Sequence, residues 1–200
     1  RVVVTGGGGQ LARALAAVWT DADLVLVERA GLDLGSLDQA RSVVESLRPD
    51  VVVNAGAFTA VDDCQSDPGR AMDVNGHGVG RLARACGARG ALLVQISTDY
   101  VFDGLGDRPL HEEDATAPAN VYGQSKLLGE HEATRAPEHL VVRSAWLFGG
   151  RGNNFLTTML RLAREGRRLR VVDDQRGSPT SHLALARQIQ ASVRDGQRGL

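Results

Sequence analysis

Arg1-Val2-Val3-Val4-Thr5-Gly6-Gly7-Gly8-Gly9-Gln10-Leu11-Ala12 is the stretch that decides the fold. It opens with an unbroken apolar run, which reads as a strand buried on both faces. Four glycines then break the chain into a tight turn. Leu11, Ala14, Leu15 and Val18 follow at helical spacing and predict a helix over 10–19. Two registers fit the turn, Gly7-x-Gly9-x-x-Ala12 and Gly6-x-x-Gly9-x-x-Ala12, and both use Gly9 and Ala12. Small residues suit a turn that needs positive φ, a backbone that must approach a pyrophosphate, and a helix packed tightly on its strand. The helix N-terminus then offers unpaired N–H groups to the anion.

The same alternation continues downstream. Buried strands are predicted at Leu24–Val27, Asp50–Asn54, Ala91–Ser97, Leu140–Leu147 and Leu169–Val172. Helices are predicted over 37–47, 68–86, 121–134, 154–164 and 181–193, with a polar loop over 103–118. Strands alternating with helices give an α/β fold: a doubly wound parallel sheet of Rossmann type with helices on both faces. Residues 1–150 are expected to form the dinucleotide-binding part. Residues 151–200 are expected to begin the substrate-binding region, continuous with the same domain. Gln197-Arg198-Gly199-Leu200 reads as the approach to another strand, so a further C-terminal segment is expected.

Composition narrows the function classes. A chain of 200 residues holds one such domain with a substantial core. A net charge of −1 gives no footprint for nucleic acid or an anionic membrane surface. No apolar run approaches the roughly 20 residues of a membrane span. The chain enters a strand at once, so no signal peptide is expected and a cytoplasmic location is. Cys64 and Cys86 are expected to be buried free thiols. The five histidines show no metal-ligand spacing, and no metal is expected.

A carboxylate for the adenosine ribose belongs at the end of the second strand, about 20 residues past the turn. Glu28 stands there, followed by Arg29. Glu28 favours NADH by holding two hydroxyls, and Arg29 suits a 2′-phosphate, so the pair leaves NADPH or NADH open.

Tyr122-Gly123-Gln124-Ser125-Lys126 opens a helix and puts Tyr122 and Lys126 one turn apart on one face. Lys126 is the one lysine among 23 basic residues. An ammonium near a phenol lowers its pKa and suits it to give a proton to a carbonyl oxygen. A compact ammonium serves ribose hydroxyls and a phenol better than a guanidinium does. Ser97 and Thr98 end the fourth strand, where an open α/β sheet places its ligands, and either hydroxyl suits a substrate carbonyl.

Together these motifs resemble the extended short-chain dehydrogenase/reductase family. The finer likeness is to its dTDP-4-dehydrorhamnose reductase branch. It is carried by Val53-Asn54-Ala55, Thr59-Ala60-Val61-Asp62, the Ser97–Phe102 run, Ala117-Pro118-x-Asn120-Val121-Tyr122-Gly123, Arg143-Ser144-Ala145-Trp146, Gly152-Asn153-Asn154-Phe155 and Asp174-Gln175-x-Gly177-x-Pro179-Thr180. The resemblance implies NAD(P)H-dependent reduction of the C4 keto group of dTDP-4-dehydro-L-rhamnose, with Thr98, Tyr122 and Lys126 as the catalytic triad. It implies cofactor contacts from Gly6, Gly9, Gln10, Leu11, Asp33, Leu34, Ala55, Gly56 and Ala57. It places Val61, Thr98, Asp99, Tyr100, Trp146 and Asn154 by the nucleotide sugar. Ser144-Ala145-Trp146 departs from the branch's usual two hydroxyl residues before the tryptophan and leaves substrate detail open. The partner expected is the nucleotide sugar, with a homodimer possible. Two other readings stay open: a reductase of another nucleotide-linked 4-keto-6-deoxysugar, and a non-catalytic dinucleotide-binding subunit.

Overall fold

Five strands pair in parallel in the order β2-β1-β3-β4-β5: β1 Val2–Thr5, β2 Leu24–Val27, β3 Val51–Asn54, β4 Leu92–Thr98 and β5 His139–Ser144. The computed structural model describes residues 1–149, 152 and 154–200. The helices are α1 Gln10–Val18, α2 Leu37–Leu47, α3 Val61–Ser66, α4 Pro68–Met72, α5 Gly78–Arg89, α6 Val121–Ala133, α7 Phe155–Arg164 and α8 His182–Arg194. Successive strand residues point to opposite faces, so each apolar strand feeds two cores. Val2 and Val4 pack under α1 and α8 with Leu11, Leu15, Leu185 and Ile189. Val3 packs on the other side with Val44 of α2, Leu82 of α5 and Ala133 of α6. Ala12 is fully buried, as tight helix–strand packing requires. The strand order reverses between β1 and β3, and a doubly wound sheet opens its crevice at the carboxyl ends of such a pair.

The doubly wound α/β expectation is borne out, with differences that have physical causes. The helix predicted over 68–86 is α4, a π turn at Asp73–His77, and α5. Glycines let α6 press onto that turn. A Cβ on Gly129 would lie 2.2 Å from the Asn75 carbonyl oxygen, and one on Gly76 2.4 Å from Leu128 Cδ2. The short α3 was not expected; its six residues lack a helical period long enough to read.

Leu169–Val172 is not a strand. Leu169, Val171 and Val172 are exposed, and an apolar run becomes a buried strand only where a sheet has a place for it. The strand predicted over 140–147 divides into β5 and β6, Leu147–Phe148, because Trp146 adopts φ of 46° and turns the chain. β6 pairs in parallel with β7, Thr180–Ser181. At the far edge of the sheet Val141 N–H donates to the Gly199 carbonyl at 2.7 Å, and Gly199 N–H to that of His139 at 3.0 Å. The approach of 197–200 to the sheet is therefore real.

Gly129→Ala is expected to force α6 off the π turn and to lower stability by about 1–3 kcal/mol, the usual cost of overpacking. Urea unfolding checks this, and an unchanged midpoint would show that the contact yields.

Candidate active site

Three polar side chains stand in register across the carboxyl ends of β1, β3 and β4. Thr5 Oγ1 donates to Asn54 Oδ1 at 2.5 Å, and Asn54 Nδ2 to Gln95 Oε1 at 2.7 Å. Gln95 Nε2 donates to the Ile96 carbonyl at 2.8 Å. Thr5 Oγ1 also accepts from Gly56 N–H at 3.2 Å, which ties the loop after β3 to the end of β1.

The glycine turn fits against that loop. Gly6 has φ of 67°, and a Cβ on it would stand 2.8 Å from the Gly56 backbone. Gly9 N–H closes the turn on the Gly6 carbonyl at 2.8 Å. The N-terminus of α1 borders the cleft through Gly9, Gln10 and Leu11. A carboxylate oxygen of Glu28 lies 4.0 Å from the position a Gly8 Cβ would take.

The cleft above these strand ends has a volume of about 1320 Å³. Its wall includes the predicted Gly6, Gly9, Gln10, Leu11, Glu28 and Arg29. Asp33, Leu34, Ala55, Gly56, Ala57 and Val61 continue it. Thr98, Asp99, Tyr100, Tyr122, Lys126 and Trp146 line it as well. Asn154 reaches the site through its side chain, whose Nδ2 donates to Gln10 Oε1 at 2.9 Å. His111, on the polar loop, is exposed and does not line the cleft.

Tyr122 lies beside the Thr98 hydroxyl, which favours its ionised form. Its ring meets that of Tyr100 edge-on, with centroids 5.6 Å apart. Thr98 Oγ1 donates to Asp99 Oδ1 at 3.1 Å and accepts from Tyr100 N–H at 3.2 Å. Burial raises the Asp99 carboxyl, and hydrogen bonding from the Thr98 hydroxyl and from the Asp99 and Tyr100 backbone opposes the rise. Lys126 is buried, and its Nζ donates to the Ile96 carbonyl at 2.6 Å.

One electrostatic expectation is corrected. The Tyr122 phenol is not lowered: burial pushes it up to about 12, with Thr98 opposing. The Lys126 ammonium donates to the Ile96 carbonyl, and burial lowers its own pKa to about 8 against the opposing pull of Glu130.

Several residues here were not singled out in the sequence. Arg13, Arg70 and His182 line the cleft. Arg13 had a readable signal, since it lies one turn past Gly9. Asn75, in the π turn, is buried and uses its whole amide. Oδ1 accepts from Phe58 N–H at 2.8 Å, while Nδ2 donates to the Phe58 carbonyl at 2.9 Å and to Ser125 Oγ at 3.0 Å. Ser125 Oγ in turn donates to the Tyr122 carbonyl at 2.7 Å. One side chain thus joins the cleft wall to the helix that carries Tyr122.

A dinucleotide fits these residues. The Gly6–Gly56 approach, which no Cβ would permit, packs the turn onto the loop after β3 at the edge of the cleft. Deeper in, Ser97 Oγ is buried without a hydrogen-bond partner among the described residues and lines the same cleft. A buried hydroxyl in that state is a place for a ligand's polar group.

The sequence matches the RmlD substrate binding domain over residues 1–199. The chain belongs to that family. It is 48% identical over 191 residues to a dTDP-4-dehydrorhamnose reductase of Burkholderia thailandensis, covering 93% of this chain and 63% of that protein. It is 40% identical over 204 residues to a dTDP-4-keto-6-deoxy-D-glucose reductase of Streptomyces niveus, covering 100% of this chain and 71% of that protein. A dTDP-4-dehydrorhamnose reductase of Bacillus anthracis, solved in complex with NADP, superposes with a TM-score of 0.93 at 37% identity. That match covers 100% of this chain and 72% of the other. This RmlD-family chain thus spans less than two thirds of the Burkholderia relative's length.

Lys126 links the site to stability. Its ammonium is lowered to about 8 from an ordinary 10.5, so between those values the unfolded chain holds a proton the folded chain has released. The cost of burying the charge is full below pH 8 and fades as pH rises toward 10.5. Lys126→Met removes that dependence. Urea unfolding should show its stability advantage over the parent shrinking by about 3 kcal/mol across the window. A difference that stays flat with pH contradicts the buried ammonium.

Proposed function

We propose that the chain is the dinucleotide-binding and catalytic part of an NAD(P)H-dependent reductase. It acts on the C4 keto group of dTDP-4-dehydro-L-rhamnose and yields dTDP-L-rhamnose. The observation that carries the reading is the Thr98–Tyr122 pair beside Lys126, at the end of a cleft that begins at the glycine turn.

A reduced nicotinamide bound in this cleft supplies the hydride that reaches C4. The protein's residues do the rest. Gly6 and the first turn of α1 would hold the pyrophosphate through backbone N–H groups, with Gly9 closing the turn that presents them. Glu28 faces the turn where it can take ribose hydroxyls, and Arg29 and Arg13 supply charge for a 2′-phosphate. Thr98 donates to the sugar carbonyl and Tyr122 gives its proton to O4, so the ketone leaves as an alcohol. A phenol held near 12 stays protonated throughout the physiological range and is a donor at every turnover. Lys126, which lines the cleft, would hold the nicotinamide ribose through its ammonium. Trp146, half exposed and fixed at φ of 46°, offers an aromatic face to the sugar. The exposed stretch over 154–173 begins the sugar side of the site.

A second reading has one observation in its favour. The Streptomyces niveus relative reduces a different 4-keto-6-deoxysugar, and Ser144-Ala145-Trp146 departs from the usual pattern beside the sugar. The same catalytic residues would serve it.

Tyr122→Phe tests the proposal. With dTDP-4-dehydrorhamnose made in situ, NADPH or NADH oxidation followed at 340 nm should fall about 10²–10⁴-fold, with dinucleotide affinity kept. Turnover at the parent rate in the variant would remove Tyr122 from the chemistry. Dinucleotide binding without turnover in the parent would move the reading to another 4-keto sugar or to a non-catalytic subunit.

A further inference from the structure

Lys126 and Glu130 lie one turn apart on α6, and Glu130 is the charged group that acts on the ammonium. The Glu130 carboxylate is buried, and Arg143 of β5 holds both of its oxygens. Arg143 Nε donates to Oε1 at 2.9 Å and Nη2 to Oε2 at 2.7 Å. The two side chains are only 13% and 7% exposed, so the pair is inside the protein. Arg143 is fixed from two further directions. Its Nη1 donates to the Glu112 carbonyl at 3.0 Å, and its guanidinium sits 4.9 Å from the Phe102 ring centroid. A planar fork suits this arrangement, and no point charge reproduces it.

A buried carboxylate stripped of its cation draws the nearest other one, because leaving it unpaired is strongly unfavourable. On α6 that cation is Lys126, four residues back on the same face. We propose that Arg143 is a positioning residue for Lys126: by clamping Glu130 it keeps the carboxylate off the ammonium, which is left to the Ile96 carbonyl and the cleft. The consequence for turnover rests on the reductase reading; the clamp itself does not.

Other charges around α6 are committed or exposed. Asp73 of the π turn pairs with Arg81 at 2.7 Å, Asp99 takes the Thr98 hydroxyl, and Arg70 lies over the Phe58 ring. His139 of β5 is bonded to the Ala136 carbonyl, and Glu132 of α6 pairs with Arg135 at 3.0 Å. Asp62 and Asp63 of α3, His77 of the π turn, Arg84 and Arg89 of α5 and His131 of α6 are exposed. Tyr122 and the buried thiols Cys64 and Cys86 have raised pKa values and stay neutral below them.

The test uses the fact that Lys126 is the sole lysine in this sequence. In protein labelled with 13C,15N-lysine, the side-chain NMR signal that is lost in Lys126→Met belongs to Lys126, and its midpoint reports the pKa without substrate. Arg143→Met should free Glu130 and move that midpoint up by about one pH unit or more. Glu130→Gln should move it down. The double variant should bring it back toward the parent. If the variants lose thermal stability while all midpoints stay at the parent's value, Arg143 is structural only and the proposal is overturned. Should Arg143→Met not fold, the downward shift in Glu130→Gln and the return in the double variant decide, and their absence overturns it. The alkaline limb of the turnover profile should follow the midpoints. Midpoints that shift as stated in a protein without turnover support the clamp and sink the reductase reading.

Discussion

The polar ladder at the carboxyl ends of the parallel strands is the constraint on which the site depends. Thr5, Asn54 and Gln95 are buried, and each must find partners where water does not reach. They find one another only in the observed strand register. A slip of one residue would turn all three to the other face and strand their polar atoms in an apolar layer. The ladder ends on the Ile96 carbonyl, the group that also receives the Lys126 ammonium. The register of the sheet therefore sets where the charge sits, and the same Thr5 hydroxyl sets how close Gly56 comes to the glycine turn.

The second half of the site is held by the docking of α6. Close approach at Gly129 and Gly123 lets the helix lie directly on the π turn and on the Tyr100 carbonyl. A Cβ on Gly123 would stand 2.1 Å from that oxygen. Asn75 and Ser125 then fix the first turn of α6 by hydrogen bonds, and the Arg143–Glu130 pair fixes its middle. Tyr122 and Lys126 thus sit between two anchors, which is what a rigid proton donor requires. The π turn adds one residue to a helical turn and opens a place for the Asn75 side chain to reach Phe58.

Much of this was legible in the sequence because it depends on local pattern. The apolar run before four glycines defines β1 and the turn, and the spacing of Tyr122 and Lys126 needs only a helix. Glu28 is found by counting from the turn. What was not legible depends on contacts between distant residues. Arg143 meets Glu130 only after β5 is laid beside β4, and nothing local marks either as buried. The π turn comes from the glycine contacts of another helix. Leu169–Val172 has the composition of a strand, yet no edge of the sheet receives it. Trp146 at positive φ is set by the packing around it; Gly177 lies against its ring, where a Cβ would come within 2.7 Å. The rise of the Tyr122 phenol is of the same kind, because burial by distant residues sets it and the helix spacing does not show it.

The most direct measurement of the central claim is isotope transfer. Full-length protein, NADPH carrying deuterium at both hydrogen positions of nicotinamide C4 and dTDP-4-dehydrorhamnose are combined, and the nucleotide-sugar product is analysed by mass spectrometry and NMR. A single deuterium is expected on the sugar C4, bound to carbon, with the new hydroxyl carrying a proton from solvent. A product without deuterium at C4, or a sugar recovered unreduced while the dinucleotide stays bound, would contradict it.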